Sequence, residues 1–225
     1  MFIARVPIRM AVFDWSGVIS DDRPAVYESN MRMLEGYGHP RISFEEWRMR
    51  STLTPVEIMK NHGVQDSEGE IWSEYKRVFS EVKGEGMRPE MYNEVPATLN
   101  QIKARGVYVR VISGHPEEEL LSEALEYGLD GLVDGVECDC RDKAGSIREL
   151  CEREGVSPEA AFYIGDTIYD VRAAKDAGVI SVACASGYHS FERLEKERPD
   201  LILASLSELA YTGIFAKNWP GSEEK

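Results

Sequence analysis

From residue 94 onwards the sequence alternates between helical segments and short apolar runs, and this alternation constrains the fold more than any other feature. Four of the helical segments end at a glycine, and a predicted strand follows each of them. Glycine is common just past helix ends because it readily adopts a positive φ, and strands alternating with helices are typical of a parallel sheet covered on both faces. The predicted strands lie at 107–112, 132–136, 161–164, 179–183 and 201–204, and the predicted helices at 95–105, 116–127, 144–154, 168–177 and 206–212.

An earlier strand is predicted at 8–14, where an apolar run ends on Asp14. Residues 24–86 do not continue the alternation and instead predict helices at 24–37, 43–50, 54–61 and 67–83. The simplest organisation is an α/β core with a Rossmann-like parallel sheet, formed by residues 1–19 and 89–225, and an inserted α-helical cap domain, residues 20–88. Ligands of open parallel sheets bind outside the carboxyl ends of the strands, so we expect the insertion to act as a lid.

Charge and composition exclude some classes of partner. The 225 residues include 26 Lys and Arg against 40 Asp and Glu, which gives a net charge of −14. Such a charge repels phosphate backbones and anionic lipids, so we expect neither a nucleic-acid-binding nor a membrane-surface protein. No apolar run reaches the roughly 18 residues of a membrane span, and the first ten residues lack the apolar stretch of a signal peptide. We therefore expect a cytoplasmic protein.

Polar residues stand where four of the predicted strands end. Asp14 closes the first strand, Ser113 the second and Asp166 the fourth, while Lys143 follows the short third strand. Asp170 lies four residues beyond Asp166. Because the carboxyl ends of parallel strands meet at one edge of a sheet, we expect these side chains to converge on a single crevice.

Together these residue types suit phosphoryl transfer. Asp14, Asp166 and Asp170 supply the hard oxygen ligands that Mg²⁺ prefers, and Asp14 can also act as the nucleophile that forms an aspartyl phosphate. Ser113 can hydrogen-bond a phosphoryl oxygen, and Lys143 can offset developing negative charge. The backbone N–H groups of Trp15 and Gly114 are further candidate phosphate donors. We also expect the Trp15 side chain to stand near the crevice.

Four sequence segments resemble the motifs of the haloacid dehalogenase (HAD) superfamily, in the same order. They are Val12–Val18 (VFDWSGV), Val111–Gly114 (VISG), Lys143, and Gly165–Asp170 (GDTIYD). Three other segments resemble the phosphoglycolate-phosphatase-like branch of the superfamily, which carries a helical cap between its first two motifs: Val95–Leu99, Ala173–Gly178 and Ser186–Ser190.

The resemblance implies a Mg²⁺-dependent phosphatase that acts on a small phosphorylated metabolite, as a monomer or homodimer. It makes Asp14 the nucleophile and a metal ligand. The backbone carbonyl of Ser16 and the carboxylate of Asp166 are the implied further ligands, with Asp170 in support. Ser113 and Lys143 are the implied phosphate-binding residues.

One position departs from the family pattern. Its phosphatases place a second aspartate two residues after the nucleophile, as general acid and then base, where this chain has Ser16. The metal site is unaffected because coordination uses the backbone carbonyl. Proton transfer is affected, since general acid–base catalysis contributes about 10²–10⁴-fold.

Three explanations of Ser16 remain open at the level of sequence. The leaving group is good enough to need no acid, as in an acyl phosphate; or another group, such as Asp21, Asp22 or a cap residue, supplies the proton; or turnover is slow and the protein mainly binds phosphate. A phosphonoacetaldehyde-hydrolase-like C–P hydrolase is a further alternative, because the segment from Asp14 to Gly17 resembles that enzyme's motif. Lys60 would then be the candidate Schiff-base lysine, although its surroundings match poorly. His115 and His189 are interpreted as surface and turn residues.

Overall fold

The structure, a computed structural model, describes residues 4–50 and 54–216. Its strands are β1 (Met10–Phe13), β2 (Ser20–Asp21), β3 (Glu90–Met91), β4 (Tyr108–Ile112), β5 (Gly135–Glu137), β6 (Ala161–Gly165), β7 (Ile180–Cys184) and β8 (Leu201–Leu203). Its helices are α1 (Arg23–Gly36), α2 (Phe44–Arg50), α3 (Pro55–Asn61), α4 (Glu68–Gly84), α5 (Val95–Lys103), α6 (Glu117–Glu126), α7 (Lys143–Arg153), α8 (Ile168–Ala177) and α9 (Phe191–Glu195). The chain divides into two compact units, one comprising Met1–Ser20 and Met91–Lys225 and the other Asp21–Glu90.

The first unit is built on a six-stranded sheet with the order β5-β4-β1-β6-β7-β8. Every pairing in this sheet for which the register is known is parallel, and Phe13 at the end of β1 lies beside Val111 of β4 and Ile164 of β6. All four residues of β1 are fully buried, as expected for a central strand covered on both faces. The prediction of a Rossmann-like parallel α/β core is confirmed.

Several observed elements differ from the predicted ones: the short strands β2 and β3 were not predicted, and β5 begins at Gly135 where the prediction began at residue 132. The segment predicted as a helix at 206–212 is a 3₁₀-helix, Leu206–Tyr211, and turns of this kind are common as short connectors. Helix α9 was not predicted, because five residues are too few to show a helical period. At α8 the sequence signals correspond to observed caps: Thr167 and Asp170 form a capping box, and Gly178 closes the helix at φ 79°.

Among its described residues the second unit contains four helices, α1 to α4, and their bounds agree with the predicted ones to within one residue. Helix α4 packs against α1 and α3. It begins at a capping box in which the Ser67 hydroxyl accepts a hydrogen bond from the Glu70 N–H, while the Glu70 carboxylate accepts one from the Ser67 N–H. Methionine and branched aliphatic side chains such as Met31, Leu34 and Ile71 form its fully buried interior. Within the described ranges, no helix of either unit combines the length and hydropathy needed to cross a bilayer.

Candidate active site

Three adjacent strands bring the predicted site residues to one edge of the sheet. Asp14 directly follows β1, Ser113 follows β4 and Asp166 follows β6, and these strands are neighbours in the order β4-β1-β6. Two helix starts complete the group, since Lys143 is the first residue of α7 and Asp170 lies in the first turn of α8. The structure therefore places these residues at one edge of the sheet, as the alternation of strands and helices predicts.

Three carboxylates form the centre of the site. One oxygen from each of Asp14, Asp166 and Asp170 lies within 4.8 Å of the other two. Their exposed fractions are 7%, 1% and 1%. Buried carboxylates are normally paired with cations or coordinate metals, and oxygen donors of this type are those that Mg²⁺ takes. The residues present therefore fit a hard divalent cation.

Lys143 joins two of these carboxylates. Its Nζ donates hydrogen bonds to Asp14 Oδ2 at 2.7 Å and to Asp170 Oδ1 at 2.6 Å. The hydroxyl of Tyr163, which points from β6, donates to the same Asp170 oxygen at 3.0 Å. The other oxygen of Asp170 accepts hydrogen bonds from the N–H and the hydroxyl of Thr167. Asp170 is thus fixed on both oxygens.

Burial and neighbouring charges shift the pKa values of the four charged groups in different directions. Burial raises the pKa of Asp14 from 3.8 to about 6, although the charge of Lys143 opposes this shift. Burial and the neighbouring charges of Asp170 and Asp14 hold the pKa of Asp166 well above its ordinary value. For Asp170 burial also acts to raise the pKa, but the charge and hydrogen bond of Lys143 outweigh it and lower the pKa. Burial acts to lower the pKa of Lys143, yet the two carboxylates hold it well above its ordinary value. One ammonium among three carboxylates leaves negative charge that a divalent cation would offset.

Glycines make room for the Asp166 carboxylate. A Cβ atom at Gly17 or at Gly187 would lie 2.0 Å from Asp166 Oδ2, and Gly17 has a φ of +74°. Only glycine combines that backbone conformation with such a close approach. The position of the Asp166 carboxylate, at the end of β6, therefore requires a glycine at position 17.

Replacement of Gly17 by alanine is expected to displace Asp166 and to weaken Mg²⁺ binding by at least about tenfold, because one of the three candidate ligand carboxylates moves. The measurement is a Mg²⁺ titration followed by calorimetry. Gly106→Ala is the matched control, since Gly106 has a φ of +71° and no atom within 4 Å of the added Cβ. Both variants should lose about 1 kcal/mol of stability through backbone strain. Equal Mg²⁺ affinity in the two would show that Asp166 does not need this space.

Ser16 lies in the tight loop that follows Asp14. The Trp15 carbonyl accepts hydrogen bonds from the N–H groups of Ile19 at 2.8 Å and Ser20 at 3.0 Å, which closes the loop. The Ser16 hydroxyl oxygen is buried and has no hydrogen-bond partner. An unpartnered buried hydroxyl is costly in a folded protein, and here it stands two residues from the candidate nucleophile.

The Trp15 side chain, which is expected near the crevice, is buried and contacts residues at the end of α6. Its indole is 1% exposed, donates a hydrogen bond from Nε1 to Glu123 Oε2 at 2.8 Å, and stacks on Tyr127 with ring centroids 5.7 Å apart. The physical reason is that a buried indole N–H needs an acceptor, and α6 supplies one. The Trp15 backbone N–H donates to Asp14 Oδ1 at 2.9 Å. The main chain of Trp15 thus contacts the Asp14 carboxylate, while its side chain contacts α6.

The segment after β4 carries a second pair of polar side chains. Ser113 is 1% exposed, and its Oγ accepts a hydrogen bond from the His115 N–H at 3.1 Å. The same Oγ lies 3.1 Å from His115 Nδ1. Gly114 between them is exposed. His115, interpreted as a surface residue from the sequence, thus contacts a predicted phosphate-binding residue.

Two further residues near the carboxylates were not assigned to the site from the sequence. Tyr163 was taken as part of an apolar strand, although a tyrosine in a buried strand signals a hydroxyl that needs a partner. His189, interpreted as a turn residue, lies in the irregular connection between β7 and α9 and is 1% exposed. Its Nδ1 accepts a hydrogen bond from the Ile168 N–H at 3.0 Å, and its own N–H donates to the Asp166 carbonyl at 3.2 Å. His189 therefore holds the start of α8 beside Asp166.

Lys60, the lysine considered for Schiff-base chemistry, lies in the second unit. Its Nζ donates to the Asp66 carbonyl at 2.7 Å, on the surface of that unit. Asp21, considered as a proton source, forms an ion pair with Arg23 at 2.7 Å. Neither environment favours the chemistry considered for these residues.

Comparison with known proteins identifies relatives of similar length. Residues 11–184 match the family described as haloacid dehalogenase-like hydrolase. The phosphoglycolate phosphatase of Synechococcus elongatus is 23% identical over 203 residues, which cover 88% of this chain and 93% of the relative. Phosphoglycolate phosphatase 1 of Pseudomonas aeruginosa is 27% identical over 225 residues, with 92% and 80% covered.

Solved structures share the fold at lower identity. A predicted phosphoglycolate phosphatase from Haemophilus somnus superimposes with a TM-score of 0.73 at 21% identity and covers 91% of this chain and 97% of its own. A predicted phosphatase from Clostridium acetobutylicum gives a TM-score of 0.74 at 19% identity, with the same coverage.

Proposed function

Because the chain belongs to the haloacid dehalogenase-like hydrolase family, we propose that it is a Mg²⁺-dependent phosphatase that hydrolyses a small phosphorylated metabolite through an aspartyl phosphate. That it is an enzyme of the phosphatase type follows from the family and from its relatives. The observation that carries the finer proposal is the contact of Lys143 with both Asp14 and Asp170, beside a third buried carboxylate.

In the proposed reaction Asp14 is the nucleophile. One carboxylate oxygen of Asp14 forms a bond to phosphorus, the bond from phosphorus to the ester oxygen breaks, and the ester oxygen takes up a proton. Water then attacks the aspartyl phosphate, which releases inorganic phosphate and restores the Asp14 carboxylate. The hydrogen bonds from Lys143 and from the Trp15 N–H orient the Asp14 carboxylate before the attack. They also favour its ionised, nucleophilic form.

We assign the remaining roles by position. Asp14, Asp166, Asp170 and the backbone carbonyl of Ser16 would hold Mg²⁺. When bound, the metal would neutralise charge on the phosphoryl group and orient it for in-line attack. Ser113, with the Gly114 N–H, would hydrogen-bond the phosphoryl oxygens, and Lys143 would offset the negative charge that develops on them.

The helical unit, residues 21–90, is proposed to act as the cap domain that the family resemblance implies. It is inserted between β1 and β4, the strands that carry Asp14 and Ser113. In this proposal its side chains select the substrate, while the chemical step depends only on residues of the first unit.

Ser16 favours a second candidate function, a phosphate-binding protein of the same fold with slow turnover. A serine hydroxyl cannot replace a carboxylic acid as proton donor, because its pKa is too high. The two candidates share one site and differ in rate. The test of both is a screen of phosphorylated metabolites, with p-nitrophenyl phosphate and acetyl phosphate included, in the presence of Mg²⁺. Turnover of at least one substrate supports the phosphatase, whereas phosphate binding without turnover of any substrate supports the second candidate.

Loss of the lysine charge is expected to reduce kcat/KM strongly. Replacement of Lys143 by methionine keeps the length and removes the charge, so we expect a fall of about 10²–10³-fold, typical of losing one electrostatic contact in the transition state. Steady-state kinetics measure the effect. Lys103→Met is the control, because Lys103 pairs with Asp134 in a partly exposed position. Activity of Lys143→Met within a few-fold of the control would contradict the assignment.

The pKa of Asp14 predicts how Mg²⁺ binding depends on pH. The folded-state pKa of about 6 lies above the ordinary value of 3.8, so the metal-free folded state binds the extra proton and its stability falls as pH rises between these values. Mg²⁺ needs the ionised carboxylate and competes with that proton. The rise in Tm on adding Mg²⁺ should therefore be small near pH 5 and large near pH 7.5. A rise in Tm that does not change with pH would show that Asp14 is not a ligand.

A further inference from the structure

The hydrogen-bonding capacity of Ser113 limits what its hydroxyl can offer a ligand. A serine hydroxyl has one hydrogen to donate and two lone pairs that accept. One lone pair is used by the His115 N–H at 3.1 Å. One donor and one acceptor are left, and His115 Nδ1 lies 3.1 Å away to take either of them.

Whether His115 Nδ1 carries a hydrogen decides whether the Ser113 hydroxyl keeps its donor or its second acceptor for a ligand. If Nδ1 carries no hydrogen, it accepts the Ser113 hydroxyl hydrogen, and none is left for a phosphoryl oxygen. If Nδ1 carries a hydrogen, it donates to Ser113 Oγ, and the hydroxyl hydrogen is free to point elsewhere. In the first state Ser113 can donate to a phosphoryl oxygen only by giving up its hydrogen bond to Nδ1, whereas in the second state it can donate while that hydrogen bond is kept.

The backbone holds this pair in place. The Asp139 N–H donates to the His115 carbonyl at 2.9 Å, and the Cys140 N–H donates to the Ser113 carbonyl at 3.0 Å. Both donors belong to the connection between β5 and α7, the helix that begins with Lys143. Ser113 is buried and His115 is half-buried, so these main-chain contacts hold a pair of residues that is still partly open to solvent at His115.

We propose that His115 is a positioning residue for phosphate binding: with a hydrogen on Nδ1 it donates to Ser113 Oγ and frees the Ser113 hydroxyl to donate to a phosphoryl oxygen. This inference rests on the proposed function, because it takes Ser113 as a phosphate-binding group. The ligand class is a phosphate or phosphate monoester, whose oxygens accept a hydrogen bond from the Ser113 hydroxyl. With hydrogens on both ring nitrogens, His115 also adds a positive charge beside the anion in a chain of net charge −14.

The first experiment measures the affinity for inorganic phosphate by calorimetry, in the presence of Mg²⁺. His115→Leu removes the donor and should weaken phosphate binding by about tenfold, the effect of losing one hydrogen bond in a charged site. His115→Asn places an amide near the position of Nδ1 and should stay within about threefold of the wild type. His62→Leu is the matched control, because His62 Nδ1 also lies near a hydrogen-bond partner, the Ile58 carbonyl at 2.9 Å, in the second unit.

The second experiment records the ¹⁵N resonances of the imidazole nitrogens, assigned by comparison with His115→Asn. On addition of inorganic phosphate, the His115 Nδ1 resonance should move to the position of a nitrogen that carries hydrogen. Unchanged phosphate affinity in His115→Leu, or an Nδ1 without hydrogen in the phosphate complex, would overturn the inference. Both measurements are independent of turnover. A protein that binds phosphate in this way but hydrolyses no substrate would therefore contradict the phosphatase and not the role of His115.

Discussion

Asp14→Asn is expected to lower kcat by more than about 10⁴-fold, since a carboxamide cannot form the acyl phosphate on which the proposed reaction depends. The substitution preserves the shape of the side chain and removes one of three crowded carboxylates. Lys143 keeps its contact with Asp170 at 2.6 Å. Burial disfavours the ionised form of Asp14, so the neutral amide should not destabilise the fold. The measurement is the initial rate of hydrolysis with Mg²⁺ present, together with the Tm of each protein.

Asp134→Asn is the control for this experiment. Asp134 belongs to the same unit, pairs with Lys103 and accepts a hydrogen bond from the Val109 N–H at 2.8 Å. Its replacement should leave the rate within a few-fold of the wild type. Residual activity of Asp14→Asn at more than a few per cent of the wild-type rate, in protein free of deamidation, would exclude Asp14 as the nucleophile.

Ser16→Asp is expected to raise the rate of alkyl phosphate hydrolysis by about 10²–10³-fold, within the range that a general acid contributes. The aspartate would donate a proton to the departing alkoxide and then take one from the attacking water. Acetyl phosphate should gain much less, because its carboxylate leaving group needs no proton. The ratio of the two rates therefore reports the proton donor and cancels any change in the amount of active protein.

Ser16→Asn is the matched control, since asparagine has nearly the shape of aspartate and supplies no acid. It keeps the backbone carbonyl of residue 16, so Mg²⁺ binding should be preserved in both variants. An equal gain in Ser16→Asn would show that side-chain size, and not proton transfer, limits the wild type. No gain in Ser16→Asp, with a wild type already fast on alkyl phosphates, would show that the proton comes from another group.

The site could be located from the sequence because strand ends are local features. An apolar run that stops at Asp14, Ser113 or Asp166 indicates a strand end within one or two residues, and parallel pairing then brings such ends together. Lys143 was found in the same way, as the residue after a short strand at the start of a helix. The order of the six strands depends on crossovers between distant segments, and the helix periods do not reveal it.

The contacts that orient the site could not be predicted, because they join residues from different elements. Tyr163 and Lys143 meet on one oxygen of Asp170 only because β6, α7 and α8 pack together. Trp15 turns its indole to Glu123, which lies 108 residues further along the chain. His115 lies close to Ser113 in the sequence, but the direction of its ring depends on the fold and not on a pattern.

Phosphorylation of Asp14 during turnover, at a site formed by Lys143, Asp166 and Asp170, is the step on which the proposed reaction depends. Its most direct test is to mix the protein with acetyl phosphate and Mg²⁺, quench with acid, and determine the mass of the peptide that contains Asp14. We expect a peptide heavier by one phosphoryl group, absent without Mg²⁺ and absent in Asp14→Asn. Turnover of acetyl phosphate with no phosphorylated Asp14 at any quench time, or a phosphoryl group on a different residue, would exclude Asp14 as the nucleophile.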